Sequence, residues 1–490
     1  MSKSTAAFLI QSWIFRDMKY KSTRGGVTGL SFEEALYTGY ATDGGILLPE
    51  TVPTVDKETL KSWASMSYPQ LAKQIVPIFV GEDEIPSSDL NDLLDRAFSK
   101  FSNPEIAPIA RLKDGLNIME LFHGKTWAFK DQALSCVGQF LEYFLSKKKK
   151  HITIVVGTSG DTGSAAIEAV AGLKFVDLIV LLPKGRCSRV QEQQMITALY
   201  DNVHVYRVDG TSDDIDIPIK EVFKDVEFAQ KHNLSSINSI NWSRIMVQVV
   251  HFIYAYLQMC PTCDKEVEIT VPTGACGNVT SGVIASLMGV PIKYVCAVTS
   301  NDIVARAVTN GDYSMSENVI PTLASAMDIQ IPYNMERIWL LVSRDTELVR
   351  KLMTEFETSK KVDVPANIAD RVKEIIVGTY VADDDEVKKT MRRTWEENQY
   401  QICPHTAVGV AYIYNKCQSK DEIDTKRVVI ATASVKKFEE AVIASGLTPQ
   451  KYKEVDCLFD KPERYVDMNK GDNWELLLKQ KIEEIDKGLE

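Results

Sequence analysis

The sequence predicts an α/β protein whose core is a mostly parallel sheet, preceded by a mostly helical N-terminal unit. Three observations predict it. Beyond residue 100, short β-branched runs recur, each closed by a Gly-rich turn and followed by a helical stretch, the rhythm of a parallel sheet with helices on its faces. Between Leu60 and Lys100, apolar residues instead fall at three- and four-residue spacing, which reads as helices. The length of 490 residues, with 45% apolar and 25% charged residues, is enough to bury a large core and lies close to the globular average.

In chain order, residues 1–17 (MSKSTAAFLIQSWIFRD) are set outside the fold. They lack the small-residue cleavage site of a secretory signal and carry too little Arg for a strong transit peptide, so a disordered extension, an added leader and a mitochondrial presequence stay open. From Tyr20 to Glu50 the text is turn-rich, around a helical pattern in Ser31–Thr38 that Ser31 can cap. With the helices of Leu60–Lys100 it forms an N-terminal domain, expected at 18–100. The core is expected at 101–490. Its clearest strands are Ile152–Val156, Leu178–Leu182, Val203–Val208, Val267–Val271, Ile292–Val298 and Val428–Ala431. Two charge runs belong to helix ends: Lys147–Lys150 follows the helical pattern Gln139–Ser146, and Asp383–Glu386 precedes another.

The charge balance restricts partners. Lys plus Arg total 56 against 67 Asp plus Glu, a net charge of −11, which argues against nucleic acid or an anionic membrane as the main partner. Anionic ligands must be held locally. Nine scattered cysteines suit a reducing compartment, so a cytoplasmic location is expected, or a mitochondrial one if residues 1–17 are a presequence. Cys260 and Cys263 form a CxxC without a second pair or spaced histidines, so no metal site is expected.

Three constellations carry chemistry. The loop Gly157–Gly163 (GTSGDTG) lies between a strand and the helical pattern Ser164–Val170, where inward-turned amides and a helix N-terminus can hold a phosphate or carboxylate. It matches neither a Walker loop, a GxGxxG fingerprint nor a GxSxG elbow, and by itself serves equally as a structural turn. A second such loop, Gly274-Ala275-Cys276-Gly277-Asn278, follows Val267–Val271 and precedes the helical pattern Thr280–Met288. Cys276 has no neighbouring His or Asp and is read as a small packing residue. The third is His123–Asp131 (HGKTWAFKD). An aromatic wall of Trp127 and Phe129 disfavours the charge on Lys130, and only about one Lys in 2,500 is neutral at pH 7 at the reference pKa, so a reactive Lys needs such surroundings. A Lys snorkelling over a core edge is the bland alternative.

A reactive Lys followed by two Gly-rich anion loops resembles the pyridoxal-phosphate enzymes of fold type II, the tryptophan-synthase-β type, and more specifically threonine synthase. The matching segments run in order from Tyr20–Arg24 and Asp43-Gly44-Gly45, through the Lys130 motif and both loops, to Gln191–Met195, Asn238–Trp242, Ser325–Ile329, Cys403–Gly409 and Thr432-Ala433. Met18-Lys19-Tyr20 resembles the family's usual start. The resemblance implies a two-part core with a smaller mobile subdomain at about 133–250. It implies that Lys130 bonds covalently to pyridoxal 5′-phosphate, that Gly274, Ala275, Cys276, Gly277 and Asn278 hold the cofactor phosphate, and that Thr432 meets the pyridine nitrogen. It further implies that Thr158, Ser159, Asp161 and Thr162 hold the substrate carboxylate.

The family's substrate, O-phosphohomoserine, brings a further dianion. Arg244, with Asn238, Ser239 and Asn241, is the candidate clamp, because guanidinium and amide donors match phosphate oxygens; Lys184 and Arg186 stand second. The chain departs from the family twice. It has His123-Gly124-Lys125-Thr126 where the family reads HGPT, and Thr432-Ala433-Ser434-Val435-Lys436-Lys437-Phe438 where the family reads Thr-Ala-His-Pro-Ala-Lys-Phe. Lys125 either adds charge near a phosphate or replaces Pro on a surface turn. The lost His-Pro pair resembles the threonine synthase-like branch of animals, associated with phosphate elimination. The expected activity is therefore a phospho-lyase giving 2-oxobutanoate, ammonia and phosphate from O-phosphohomoserine, with O-phosphothreonine as a second candidate substrate. Threonine formation, a serine/threonine dehydratase and a non-catalytic secreted or signalling protein on the same fold are the alternatives. A monomer and a homodimer are both compatible with the sequence.

Overall fold

Alternating β-branched runs and helices fold here into two sheets. The computed structural model describes residues 18–416, 419 and 426–489; the segment 1–17 lies outside the described residues. The larger sheet contains β3 (Ile109–Arg111), β4 (Asn117–Glu120), β9 (Val267–Pro272), β10 (Ile292–Val298), β13 (Ile376–Val381) and β14 (Arg427–Ala431), in the order β13-β10-β9-β14-β4-β3. Every pair is parallel except β3 with β4. The smaller sheet contains β5 (Ile152–Gly157), β6 (Val176–Pro183), β7 (Val203–Val208), β8 (Leu234–Ser235) and β15 (Val466–Met468), ordered β15-β7-β6-β5-β8 and parallel throughout. Strands β6 and β14 are buried along nearly their whole length, as a parallel sheet covered on both faces requires. Two short antiparallel ribbons, β1 (Tyr20–Ser22) with β2 (Leu47–Pro49) and β11 (Asp312–Ser314) with β12 (Lys361–Asp363), lie outside these sheets.

All six strands expected from the sequence form, with ends displaced by at most two residues. Strands β8 and β15 have only two and three residues, too short to stand out as runs. Both charge runs sit at helix ends. Lys147 and Lys148 occupy the last turn of the helix Lys130–Lys148, and Asp383 caps Asp384–Asn398 by accepting from the Glu386 amide.

The N-terminal residues build the helices Phe32–Tyr37, Lys57–Trp63, Tyr68–Ile75 and Ser87–Phe98. Ser31 and Ser67 each open their helix with a reciprocal capping box. This unit does not own a separate core: Phe32 packs edge-on against Phe140 at 5.6 Å and Tyr68 against Tyr254 at 5.3 Å, and Tyr20 packs at a tilt against Trp242 at 5.7 Å. Those partners lie on the helices Lys130–Lys148 and Trp242–Met259, so one apolar core runs from the N-terminal unit through both.

The smaller sheet also reaches beyond the expected residues 133–250. Strand β15 joins its β7 edge, and the helix Trp474–Leu489 buries Leu478 and Ile482 against Val155, Ile179 and Ile215. A C-terminal segment thus completes a subdomain whose other strands end at Ser235.

Candidate active site

The carboxyl ends of strands from both sheets face one cleft, the place where parallel sheets present loop amides and helix N-termini. Lys130 is the first residue of its helix, and the main chain before it is tied to the end of β14: the Phe129 amide donates to the Thr432 carbonyl at 2.8 Å, and Ala128 bridges Ala433. Trp127 takes a left-handed φ of 61° and its ring lies under Lys436 at 4.0 Å, so of the expected aromatic pair it is Phe129 that stands beside Lys130. The Lys130 side chain is 14% exposed, its Nζ 4.6 Å from the Phe129 ring centre and 3.5 Å from Asp161 Oδ2. Burial lowers its amine from the ordinary lysine value, and Asp161 only partly opposes this.

Asp161 opens the helix Asp161–Val170. Its Oδ1 lies 2.6 Å from Lys437 Nζ and accepts from Gln191 Nε2 at 2.8 Å. Burial alone would raise this carboxyl, but Lys437 and Lys130 hold it well below the usual carboxylate range. The Asp161 carboxylate is taken up by its lysine partners, so what the residue offers an anion is its N–H at the helix start. Thr158 is turned inward as well, its Oγ1 accepting from the amides of Gly160 and Gly163 at 3.0 and 2.9 Å and fixing the loop. Ser159 and Thr162 line the cleft. Gly160 has φ 134°, and a Cβ there would lie 2.5 Å from Gln191 Cδ, so the loop demands glycine at this point.

The second loop joins β9 to the helix Gly277–Leu287. Cys276 adopts φ 60°, and the amides of Gly277, Asn278 and Val279 are those a helix start leaves without intrahelical partners. A Cβ on Gly274 would come within 3.2 Å of the Ala326 carbonyl. Asn278 donates to Gln248 at 2.9 Å, and burial raises the Cys276 thiol well above its ordinary value, which fits packing rather than attack. Thr432 also lines the cleft, and its Oγ1 is buried without a partner among the described residues. A donor cradle, an orphaned hydroxyl and Lys130 line one cleft, a set that fits a ring carrying a phosphate, a nitrogen and an aldehyde.

Arg244 is 2% exposed on the helix Trp242–Met259 and lines the cleft. Its Nη1 donates to the Ile237 carbonyl at 2.9 Å, its Nε has no partner, and among the described residues no carboxylate pairs with it. Burial pushes its guanidinium down to about 10. Asn238 and Ser239 line the cleft beside it, and Asn238 Oδ1 is likewise buried and unpartnered.

Three expected residues lie elsewhere. Asn241 caps the Arg244 helix, accepting from Ser243 N at 3.0 Å and donating to the Leu36 and Ser236 carbonyls, so its amide is consumed locally. Lys184 and Arg186 are exposed and outside the cleft lining, because the chain turns to the surface after β6; Lys184 pairs with Asp467 at 3.1 Å. Lys125 is exposed as well, which favours its reading as a surface-turn residue. Conversely, the sequence did not single out His405 or Lys437. His405 accepts from the Ala326 amide at 3.1 Å, and burial pushes its imidazole down to about 4. Its only sequence signal was membership of the Cys403–Gly409 segment; Lys437 carried no more than its place in the altered segment after Thr432.

Comparisons with known proteins agree with this geometry. Family models match along the chain in order: threonine synthase N terminus at 19–98, pyridoxal-phosphate dependent enzyme at 108–433 and threonine synthase, C-terminal at 406–479. The chain is 51% identical to threonine synthase-like 2 of Homo sapiens, over 96% of this chain and 97% of that protein. It is also similar to the solved structure of pyridoxal-phosphate-bound threonine synthase from Brucella melitensis, with 34% identity, a TM-score of 0.87 and coverage of 95% and 99%. Yeast threonine synthase matches at 35% identity and a TM-score of 0.87, covering 96% and 98%. The cofactor is pyridoxal 5′-phosphate, and the chain belongs to the threonine synthase family of pyridoxal-phosphate-dependent enzymes.

Proposed function

We propose that this enzyme is a phospho-lyase that converts O-phosphohomoserine and water to 2-oxobutanoate, ammonia and phosphate. The observation that carries the reading is Arg244, a buried guanidinium whose Nε has no partner and which pairs with no carboxylate among the described residues. An uncompensated buried cation costs several kcal/mol and is retained where a ligand supplies the anion. With the Gly274–Asn278 amides assigned to the cofactor phosphate, Arg244 is left for the substrate's.

The residues divide the work. The amides and hydroxyls of Ser159–Thr162 orient the substrate carboxylate, and Arg244 with Asn238 and Ser239 holds the γ-phosphate and receives it as leaving group. Bound pyridoxal phosphate withdraws electrons from the substrate's Cα and lowers the cost of removing its proton. Lys130, on the cleft wall, takes the Cα proton and moves protons at Cβ and Cγ. Thr432 would meet the ring nitrogen with a neutral hydroxyl, which would moderate that electron demand.

The preference for elimination over threonine rests on Ser434-Val435 standing where the family has His-Pro. Incubation with O-phosphohomoserine, resolving threonine from 2-oxobutanoate, tests the reading: threonine as the main product overturns it in favour of a true threonine synthase. Turnover of unphosphorylated threonine at full rate after Arg244→Ala would instead indicate a dehydratase.

A further inference from the structure

We propose that Lys437 is a positioning residue that, through Asp161, controls whether Lys130 is available as a neutral amine. The inference rests on Lys130 being the residue that bonds the cofactor, and not on which product is released.

Lys437 ends the turn Val435–Lys437 that follows Thr432, and its side chain is fully buried. Its neighbour Lys436 faces outward, 3.1 Å from Glu454 and over the Trp127 ring at 4.0 Å. Lys437 turns inward, donating to the Thr126 carbonyl at 2.8 Å and pairing with Asp161 Oδ1 at 2.6 Å. Gln191 Nε2 donates to the same oxygen at 2.8 Å, while the Gln191 side-chain carbonyl is held by the Ser188 amide at 2.9 Å. Asp161 is therefore fixed through one oxygen, and the other stands 3.5 Å from Lys130 Nζ.

One carboxylate thus serves two ammonium groups, and the shorter contact belongs to Lys437. Without it, Asp161 would face Lys130 alone and hold it as an ammonium, a form that can neither attack an aldehyde nor take a proton. The Thr126 contact anchors Lys437 to the segment that carries Lys130, so charge and position are set together. The other charged or titratable groups near Lys130 are Arg244 and His405, with Asp213 and Asp216 also lining the cleft. None of these four pairs with Asp161 within ion-pair distance among the described residues.

The test uses the full-length chain freed of cofactor, with pyridoxal phosphate as the probe. The rate at which the visible absorbance appears is followed across pH, because the neutral amine attacks the aldehyde carbon and water is lost. The rate midpoint reports Lys130, and its absorbance must vanish in Lys130→Ala. In Lys437→Met the midpoint is expected to rise by about one pH unit, the size of an added opposite charge at this range. Lys437→Arg, which keeps the charge, is expected to return it toward the wild type. A folded Lys437→Met protein with the wild-type midpoint overturns the proposal. If that variant does not fold, Lys437→Gln takes its place with the same expected rise, and an unshifted midpoint in it overturns the proposal. Persistence of the absorbance in Lys130→Ala overturns the assignment of Lys130 and the proposal with it.

Discussion

Arg244→Met separates ligand binding from folding, because the structure gives the two effects opposite signs. The guanidinium is buried, with one neutral hydrogen bond and no counter-ion among the described residues. Its fall from 12.5 to about 10 corresponds to about 3 kcal/mol against the charged form, at 1.36 kcal/mol per unit. Met fills a similar volume without charge, and losing the bond to the Ile237 carbonyl costs about 1 kcal/mol. The ligand-free variant is thus expected to gain about 2 kcal/mol in stability, read as a higher urea midpoint. In the substrate complex the sign reverses. Removing a buried charged partner of a phosphate costs about 2–5 kcal/mol, or about 30- to 5,000-fold in kcat/KM by phosphate release. A variant that loses stability, or one that is stabilised and keeps its kcat/KM for O-phosphohomoserine, refutes the reasoning.

Three further outcomes are expected. Thr432→Val replaces an orphaned hydroxyl with an isosteric methyl, and should weaken pyridoxal-phosphate affinity by about 2- to 13-fold, one neutral hydrogen bond, without lowering the melting temperature of the cofactor-free chain. Gly160→Ala places a methyl group on Gln191 at a φ of 134°, and should cost about 1–3 kcal/mol of stability with a raised KM, measured by unfolding and by steady-state kinetics. His405 is held down from 6.5 to about 4, so between these values the unfolded chain binds the extra proton and stability falls as pH falls. His251, held down to about 3, adds in the same direction. His405→Gln should flatten the pH dependence of the urea midpoint across that window, and an unchanged slope would count against the buried neutral imidazole.

What the sequence disclosed follows from which physical signals are local. Strands such as β6 are apolar because both faces are covered, and that burial writes itself into consecutive residues. Lys130 was legible because its aromatic partner Phe129 is adjacent in the chain, and Arg244 because a second phosphate demanded a cation on a known segment. Lys184 and Arg186 misled because closeness to a strand end does not say which way the following turn faces. Asn241 misled because an amide that caps a helix looks the same in sequence as one that binds a ligand. Lys437 was hidden for the opposite reason: its partner Asp161 is far away in the chain, and nothing in a Lys-Lys pair tells which of the two turns inward.

The late arrival of β15 bears on how the chain is made. Arg207 on β7 and Asp467 on β15 are paired although 260 residues apart. At about 5–20 residues per second, a ribosome needs on the order of 10–50 s to travel between them, and throughout that time the β7 edge has no strand to cover it. The β7 edge of the small sheet is therefore open to wrong pairing through that time, and a polypeptide released before Met468 would carry every residue of the catalytic cleft yet keep that edge bare.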